Sequence, residues 1–356
     1  MRDAAHGEPR DRAHLRGHPR HPHADPGRAR DGDAGDLSAG DPIRPDLARL
    51  RTRLPERPLT RFAPAPTGHL HLGHVANALV VWGVAGALGG RVLLRIEDHD
   101  RQRCRREYEQ TLLDDLDWLG FAADLFPTAA YRTGPCPARQ SDRDAAYRAA
   151  ASALAARGLL YACACSRRAI GSRAAEAASG GGAERRYPGT CRARAVPLDA
   201  PDLTWRVRLP EGDEHFDDAL LGPQRQTPAR QCGDLAVRDR HGNWTYQFAV
   251  TVDDRDQDVA LVIRGQDLLA STGRQLQLAR LLGREAPPVY LHHGLLRKAS
   301  GRKLSKADGD SGVRALRAAG WSAGEVIGAA AEQLGLLARA RPVPAHAAAA
   351  LLAGAG

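Results

Sequence analysis

Two histidines that flank a glycine give the clearest indication of chemistry in the sequence. They lie in His71-Leu72-Gly73-His74, at the start of an apolar, alanine-rich segment that is typical of a helix. Imidazoles at a helix start can donate hydrogen bonds to triphosphate oxygens beside the positive end of the helix dipole. A glycine between them would let a flat adenine approach the backbone closely. The pattern predicts an ATP site at His71, Gly73 and His74, although surface histidines that cap a helix would look the same.

The lysines give a second indication, because they are confined to one short stretch. Of the 51 basic residues only three are lysines, and Lys298, Lys303 and Lys306 fall within nine positions. A compact ammonium contacts phosphate as a point charge, and a planar guanidinium does not replace it there. The tetrapeptide Lys303-Leu304-Ser305-Lys306 is therefore predicted to contact the ATP phosphates through Lys303, Ser305 and Lys306. Chance clustering of the lysines is the alternative.

The elements around the histidines predict a nucleotide-binding sheet. Residues 59–63 are typical of a short strand, residues 72–88 of a helix that Gly89-Gly90 ends, and residues 91–96 of a buried parallel strand. This order is a βαβ unit, which predicts an α/β fold with a doubly wound, Rossmann-like sheet. Further helices are predicted at 101–120, 139–157, 271–283 and 313–337, and further strands at 203–209, 235–239, 244–252 and 259–263.

Composition and charge describe the chain as a whole. The hydrophobic fraction of 43% and the charged fraction of 26% are those of an ordinary globular protein. No run of eighteen apolar residues or secretory segment is apparent, so we expect a cytoplasmic protein without a membrane span. We also expect a monomer. The net charge of +9 suits a polyanionic partner such as nucleic acid, although an arginine-rich genome would give the same balance.

Patterning divides the chain into segments. Residues 1–57 have almost no aromatic or β-branched residues and are predicted to be disordered. The remaining predicted parts are a catalytic domain over 58–310 with an inserted zinc-type module at 161–215, a helical segment over 311–340, and a low-complexity tail over 341–356.

Three cysteines and a tyrosine have the spacing of a metal site. Cys163 and Cys165 form a Cys-x-Cys pair, and Tyr187 precedes Cys191 by four residues. Three thiolates and a phenolate can complete a tetrahedral structural zinc site, because zinc lowers their pKa values enough to deprotonate them. A Cys-x-Cys pair in a chain without a secretory signal favours metal over a disulfide. These four residues are the predicted zinc ligands; three incidental buried thiols are the alternative.

The chain from Arg61 to about Leu336 resembles the glutamyl-tRNA synthetase family of class I aminoacyl-tRNA synthetases. The resemblance rests on residues 61–74, 94–100, 246–254, 262–268 and 303–306. It implies a class I catalytic domain that is followed by a stem-contact-like helical segment at 311–340. It also implies that His71, His74 and Lys306 are catalytic, with the lysine stabilising charge at the α-phosphate of ATP, which enters with Mg²⁺.

The predicted substrate site follows from the chemistry of glutamate together with this resemblance. Glutamate has two carboxylates and one ammonium, so its pocket needs two cations and an anion. Arg61 and Arg264 can each make bidentate pairs with a carboxylate, Glu97 can receive the α-ammonium, and Tyr246 can orient the substrate. Singly, each could instead be a structural ion pair or a core tyrosine. The family has serine where this chain has Ala65, so only the backbone can serve there.

The acceptor is inferred from the length of the chain. After Lys306 only 50 residues remain, too few for the anticodon-binding region of a full-length family member. The chain therefore resembles a shortened member that forms glutamyl-adenylate without tRNA and transfers the glutamyl group to queuosine in the anticodon of tRNA(Asp). Two alternatives stay open: a truncated glutamyl-tRNA synthetase that charges tRNA(Glu), and a catalytically silent, synthetase-like binding protein, which the Ala65 departure would favour.

Overall fold

The computed structural model describes residues 43–166, 168–171, 186–296 and 312–354. Within these ranges no helix combines the length and the apolar character that a membrane span needs. The helices are α1 (Leu47–Arg53), α2 (Leu72–Ala87), α3 (Arg106–Leu119), α4 (Thr128–Arg132), α5 (Asp144–Ala156), α6 (Pro228–Gln231), α7 (Tyr246–Asp256), α8 (Thr272–Leu281), α9 (Val313–Ala318), α10 (Ala323–Gln333) and α11 (Ala348–Leu352). The strands are β1 (Leu59–Phe62), β2 (Arg91–Leu94), β3 (Leu160–Cys163), β4 (Thr204–Val207), β5 (Glu214–Asp218), β6 (Gly222–Gln226), β7 (Leu235–Arg238), β8 (Leu261–Gly265) and β9 (Val289–His293), and 3-10 helices span Gln140–Asp142, Gln266–Ser271 and Ala345–Ala347.

Six strands of the described residues form one mostly parallel sheet, in the order β2-β1-β8-β9-β5-β6. β1 pairs in parallel with β2 and β8, β9 pairs in parallel with β8 and β5, and β6 is antiparallel to β5. The predicted α/β fold with a Rossmann-like sheet is confirmed. Because β2, β1 and β8 are neighbours, their carboxyl ends lie side by side, where ligands bind in open α/β sheets.

The β1–α2–β2 unit has the boundaries that its glycines dictate. All four residues of β1 are buried, and α2 packs on the sheet through its leucines, valines and alanines. Gly89 adopts a φ of +66°, in the left-handed region that glycine tolerates, and so ends the helix. A Cβ on Gly90 would meet the carbonyl oxygen of Pro58 at 2.5 Å, so the chain can enter β2 only through a residue without a side chain.

A second, antiparallel sheet is built from β3, β4 and β7. The predicted module at 161–215 supplies two of these strands, but β7 lies beyond it. The hairpin of β5 and β6 interrupts the small sheet and joins the edge of the large one. The predicted boundary at residue 215 therefore differs from the structure, because contiguous stretches of sequence alternate between the two sheets.

The strand predicted at 244–252 is wrong, because residues 246–252 lie in α7. The segment is rich in aromatic and β-branched residues, which favour strands. Residues 248–254 are all buried, so the sequence shows neither helical nor strand periodicity. A fully buried apolar run cannot be assigned to helix or strand from its pattern alone.

Three predicted helices are shorter in the structure. The helix predicted at 101–120 begins only at Arg106, and the one predicted at 139–157 begins only at Asp144, after a 3-10 turn. The helix predicted at 313–337 is divided into α9 and α10. Gly320 separates the two with a φ of +88°. Ser322 then caps α10: its hydroxyl accepts the Glu325 N–H at 3.3 Å, while the Glu325 carboxylate accepts the Ser322 N–H at 2.7 Å.

The segment predicted to be disordered at 1–57 contains α1, and the low-complexity tail predicted at 341–356 contains α11. Asp46 caps α1 by accepting the Arg49 N–H at 2.9 Å, and Leu50 of that helix is buried. At the other end, α11 packs on α2, where a Cβ on Gly83 would meet the side chain of Leu352 at 2.8 Å. Short sequences poor in aromatic residues can still bury a few apolar side chains against a large domain, and composition alone does not show this.

Candidate active site

The predicted glutamate-binding residues converge at the carboxyl ends of the central strands. Arg61 lies in β1, Arg264 in β8 and Glu97 three residues after β2, while Tyr246 is the first residue of α7. Burial raises the pKa of Tyr246 to about 12, with a further contribution from the Glu97 charge that Arg264 and Arg61 oppose. Tyr246 therefore lies within electrostatic reach of the other three groups.

Arg61 is held by a buried acid that sequence reasoning did not assign to the site. Its Nε donates to Asp254 Oδ1 at 3.1 Å and its Nη1 to the Ile263 carbonyl at 3.2 Å. Arg95 Nη2 donates to the same Asp254 oxygen at 2.7 Å. Although burial opposes it, the two arginines hold the pKa of Asp254 below its usual range. Among the described residues, Nη2 of Arg61 has no hydrogen-bond acceptor and is available for a ligand.

Glu97 is a buried carboxylate whose charge is incompletely neutralised. Only 5% of the residue is exposed, and its Oε1 has no hydrogen-bond partner among the described residues. The nearest cation is Arg95, whose Nη1 lies 3.7 Å from that oxygen. Burial raises the pKa of Glu97 to about 7, even though Arg95 and Arg61 act to lower it. The site therefore contains an acid that a substrate ammonium would stabilise in its charged form.

Arg264 is fixed by the side chains around it. Its Nε donates to His292 Nε2 at 3.0 Å, its Nη1 to Gln275 at 2.7 Å, and its Nη2 to Thr272 at 2.8 Å and to the Leu268 carbonyl at 3.3 Å. Only one N–H, on Nη1, remains outside these bonds. The bidentate contact predicted for Arg264 would therefore require one of them to open, whereas a single hydrogen bond to a carboxylate would not.

His292 connects Arg264 to the buried acid Asp218. Its Nδ1 lies 2.6 Å from Asp218 Oδ2, and both residues are fully buried. Burial lowers the pKa of His292 to about 4, with a further decrease from Arg264, so the ring is neutral. Since Nε2 accepts from Arg264, the proton is on Nδ1 and is donated to Asp218. His292, Asp218 and Gln275 were not predicted, because nothing in the local sequence of β9, β5 or α8 indicates this long-range contact.

The position of Ala65 also limits what the backbone can do. The Ala65 carbonyl accepts the Thr67 N–H at 2.8 Å, in the turn between β1 and α2. One lone pair of that oxygen is therefore already used.

Across the site, the ring of Tyr246 lies 5.9 Å from that of His99, whose Nδ1 is 2.7 Å from Gln140 Oε1.

His71 is the N-cap residue of α2 and His74 lies in its first turn, and both side chains cap the helix. His71 Nδ1 accepts the Gly73 N–H at 3.1 Å, and His74 Nδ1 accepts the His71 N–H at 3.1 Å. With both Nδ1 atoms accepting, each neutral ring carries its proton on Nε2, the nitrogen that can donate to a phosphate oxygen. A Cβ on Gly73 would lie 2.9 Å from His71 Cε1. The structure thus gives Gly73 a role that was not predicted: it leaves room for the capping imidazole.

Lys303, Ser305 and Lys306 lie outside the described residues, but the chain on either side of them is described. Before them, His293 Nε2 lies 2.9 Å from Asn77 Oδ1 of α2. After them, Gly312 pairs with His71, and the Val313 N–H donates to the Leu70 carbonyl at 2.9 Å. The flank before the lysines therefore contacts the second turn of α2, and the flank after them contacts the two residues that precede α2.

The four predicted zinc ligands lie together beside the small sheet. The sulfurs of Cys163, Cys165 and Cys191 are within 4.8 Å of one another, and Cys165 Sγ is 3.6 Å from Cys191 Sγ. The Tyr187 hydroxyl is 3.4 Å from Cys163 Sγ and accepts the Cys191 N–H at 2.9 Å. Tetrahedral zinc with bonds of about 2.3 Å to sulfur and 2.0 Å to oxygen has ligand separations of about 3.5–3.8 Å. The donor set and its spacing fit this ion.

The protonation of these ligands is also consistent with a metal. Burial raises the pKa of Cys165 to about 11 and raises that of Tyr187 above its usual range. Hydrogen bonds from the Ala164 backbone and Tyr187 lower the pKa of Cys191, although burial opposes them. A cation at the centre of the cluster would release the protons that Cys165 and Tyr187 otherwise retain at neutral pH.

Comparisons with known proteins agree with this geometry. Residues 59–326 match the family model for class I tRNA synthetases (E and Q), catalytic domain. A glutamyl-Q tRNA(Asp) synthetase from Bordetella bronchiseptica is 46% identical over 75% of this chain and 81% of that protein. Another from Rhodobacter capsulatus is 40% identical over 75% of this chain and 98% of that protein.

A solved structure extends the comparison to the fold. A glutamate tRNA ligase from Elizabethkingia meningosepticum aligns with a TM-score of 0.60 and 29% identity over 71% of this chain. The chain spans about half of that ligase, 53% of its length.

Proposed function

The chain belongs to the class I tRNA synthetase (E and Q) catalytic-domain family and, within it, to the glutamyl-Q tRNA(Asp) synthetases. On this basis we propose that it activates glutamate with ATP and transfers the glutamyl group to queuosine in the anticodon of tRNA(Asp). It is thus a ligase-type enzyme with adenylate chemistry. ATP and L-glutamate are its proposed small substrates, and queuosine-containing tRNA(Asp) is its proposed acceptor.

The observation that carries the glutamate assignment is the arrangement of charges. Among the described residues, Glu97 is a buried carboxylate with one oxygen that accepts no hydrogen bond, and the buried cations Arg61 and Arg264 act with it on Tyr246. One anion with two cations is complementary to one ammonium with two carboxylates. Arg61 Nη2 and the remaining N–H of Arg264 Nη1 are the proposed carboxylate donors, with the Tyr246 hydroxyl orienting the substrate and Ala65 contributing backbone alone.

The proposed reaction has two displacements. An oxygen of the glutamate α-carboxylate attacks the α-phosphorus of ATP, the bond to the bridging oxygen breaks, and pyrophosphate leaves, giving glutamyl-adenylate. A hydroxyl of the queuosine cyclopentenediol then attacks the activated carbonyl, loses its proton, and AMP leaves. No protein nucleophile is needed, so the protein contributes positioning and charge stabilisation.

His71, Gly73 and His74 are the proposed ATP-binding turn, with the Nε2–H groups of both histidines directed to phosphate oxygens. Lys303, Ser305 and Lys306 are proposed to complete the phosphate contacts, and Lys306 to stabilise the charge that develops at the α-phosphate. The contacts of the following residues support this proposal, because Gly312 pairs with His71 and the Val313 N–H donates to the Leu70 carbonyl, beside the histidine turn. Mg²⁺ that enters with ATP would neutralise further phosphate charge.

We also propose a structural zinc ion at Cys163, Cys165, Tyr187 and Cys191. This cluster lies at the end of β3 and against residues 232–233, since the Tyr187 N–H donates to the Cys232 carbonyl at 2.9 Å. When bound, zinc would cross-link residues 163–165 to residues 187–191 and would supply no chemistry in the reaction.

A two-stage assay tests the proposed function. The first stage measures ATP–pyrophosphate exchange with glutamate in the absence of tRNA, for which we expect activity in the wild type and none in Lys306→Ala. The second adds labelled glutamate to tRNA(Asp) with queuosine, to tRNA(Asp) without it, and to tRNA(Glu).

Label should appear only on the queuosine-containing tRNA(Asp). Label at the 3′ end of tRNA(Glu) would instead identify a truncated glutamyl-tRNA synthetase. Absence of exchange in the wild type would identify a catalytically silent binding protein. Exchange in Lys306→Ala within a few fold of wild type would show that another residue stabilises the α-phosphate.

A further inference from the structure

A cavity of about 710 Å³, which we call the arginine cavity, opens between α3 and residues 131–141. It is distinct from the residues assigned to ATP, glutamate and zinc. Five arginines contribute to its wall, namely Arg101, Arg105, Arg106, Arg132 and Arg139. Its acidic lining residues are Asp98, Glu109 and Asp114.

The acidic groups of the arginine cavity are already engaged by partners within the protein. Glu109 accepts from Arg139 at 2.6 Å, and Asp114 lies 2.9 Å from Arg132. Asp98 accepts the Ser141 N–H at 2.8 Å. These contacts fix Arg139 and Arg132 in the wall, and among the described lining residues they leave Asp98 as the one acid without an ion pair, against Arg101, Arg105 and Arg106.

Arg105 and Arg106 are the residues that give the cavity its unbalanced charge. Both are exposed at the start of α3, and neither side chain makes an ion pair or hydrogen bond with any other described residue. Arg101 makes one long bond, from Nη2 to the Ser141 carbonyl at 3.3 Å. Three guanidinium groups are therefore free, or nearly free, to bind anions at one opening.

The arginine cavity begins where the glutamate site ends. Asp98 follows Glu97 directly, and Pro66 follows Ala65, so the wall of the cavity and the glutamate site share the same two turns of chain. The Arg105 N–H donates to the Pro66 carbonyl at 3.1 Å, which fixes the start of α3 against one of these turns. An extended ligand could place a reactive group beside Glu97 while its anionic backbone lies in the cavity.

We propose that the arginine cavity binds backbone phosphates of the RNA that accepts the glutamyl group. The proposal rests on the function proposed above and adds where that acceptor is held. Guanidinium groups pair bidentately with phosphate, and each such contact releases counterions from the RNA. Contacts to phosphate fix the position of the RNA and do not read its bases, so the cavity contributes affinity and orientation, and queuosine itself is recognised elsewhere.

The test is the double variant Arg105→Gln/Arg106→Gln, measured against the wild type for RNA affinity and for exchange. Each phosphate contact releases roughly 0.8 counterion, so loss of two should weaken binding of tRNA(Asp) roughly fortyfold at about 0.1 M salt. The slope of log affinity against log salt should become less steep by about 1.6. Pyrophosphate exchange without RNA should remain within about twofold of wild type. Neither side chain has a partner in the described part of the chain, so the fold should be unaffected.

The matched control is Arg91→Gln. Arg91 is also exposed, and its side chain makes no hydrogen bond or ion pair with the described residues. It is the first residue of β2, whereas Glu97 lies beyond the carboxyl end of the same strand. We expect its RNA affinity and salt dependence to match those of the wild type.

The possible outcomes are distinguishable. The control removes one charge and the double variant removes two, so a general effect of charge would give the control about half of the double variant's loss in log affinity. A loss of that size or larger in the control would overturn the proposal. Unchanged RNA affinity in the double variant would also overturn it, and lost exchange would assign the cavity to ATP or glutamate instead. A wild type without exchange would refute the proposed function, while RNA affinity would still decide whether the cavity binds phosphates.

Discussion

Glu97→Gln should make the ligand-free protein more stable at alkaline pH while removing its affinity for glutamate. The Glu97 carboxyl has an ordinary pKa of 4.5 in the unfolded chain, and burial raises the pKa to about 7 in the fold. Between these values the folded state retains a proton that the unfolded state has released. The free energy of unfolding therefore falls as the pH rises through this window, and the loss is complete above pH 7.

The size of the effect follows from the two pKa values. Their difference corresponds to about 3 kcal/mol, at about 1.4 kcal/mol for each unit of pKa. Glutamine is neutral at every pH and has nearly the same shape, so it avoids this cost. The variant should match the wild type near pH 4.5 and exceed its free energy of unfolding by about 3 kcal/mol at pH 8.5, which for a chain of this size is about 5 °C in Tm.

Thermal unfolding followed by circular dichroism at both pH values measures this difference. Glutamate should raise the Tm of the wild type at pH 8.5, because its ammonium neutralises the buried carboxylate, and should leave that of Glu97→Gln unchanged. Glu332→Gln, on the exposed side of α10, is the control and should shift Tm by less than about 1 °C. A Glu97→Gln variant that is less stable at pH 8.5, or whose Tm difference does not depend on pH, would refute this account of the site.

Three further substitutions test other parts of the site. His292→Leu removes the acceptor of Arg264 Nε and should raise the KM for glutamate about tenfold or more, with a smaller effect on kcat, in exchange assays; an unchanged KM would show that His292 does not position Arg264. Gly73→Ala places a Cβ against the His71 ring and should raise the KM for ATP while glutamate binding, followed by calorimetry, is retained. Cys191→Ser should lose the metal and lower Tm, by elemental analysis and thermal unfolding; a wild type purified without chelators that contains no zinc would contradict the metal assignment.

The sequence was sufficient to place the predicted site residues on their elements where local signals are strong. The glycine pair at 89–90 fixes the end of α2, and the apolar runs on either side of it specify β1 and β2. Placing Arg61 and Glu97 at the ends of these strands was enough to bring them together, because neighbouring parallel strands end at one edge.

The parts that the sequence did not predict depend on contacts between distant residues. Asp254 lies in a segment that resembles the family, but its partner Arg61 is 193 positions away, and no local pattern identifies that pair. The same segment was predicted to be a strand, because burial on all sides removes the periodicity that distinguishes a helix. The packing of α11 on α2 was missed for a related reason, since alanines give no hydrophobic pattern of their own.

The buried acid that Arg61 and Arg95 share also determines which substitutions the site can accept during evolution. Loss of Arg61 leaves Asp254 paired with Arg95, so a lineage could alter Arg61, and with it the preferred amino acid, in a single step. Loss of Asp254 leaves two buried cations without their common partner, which typically costs several kcal/mol. We therefore expect Asp254 and Arg95 to change only together among relatives, while Arg61 is free to vary first.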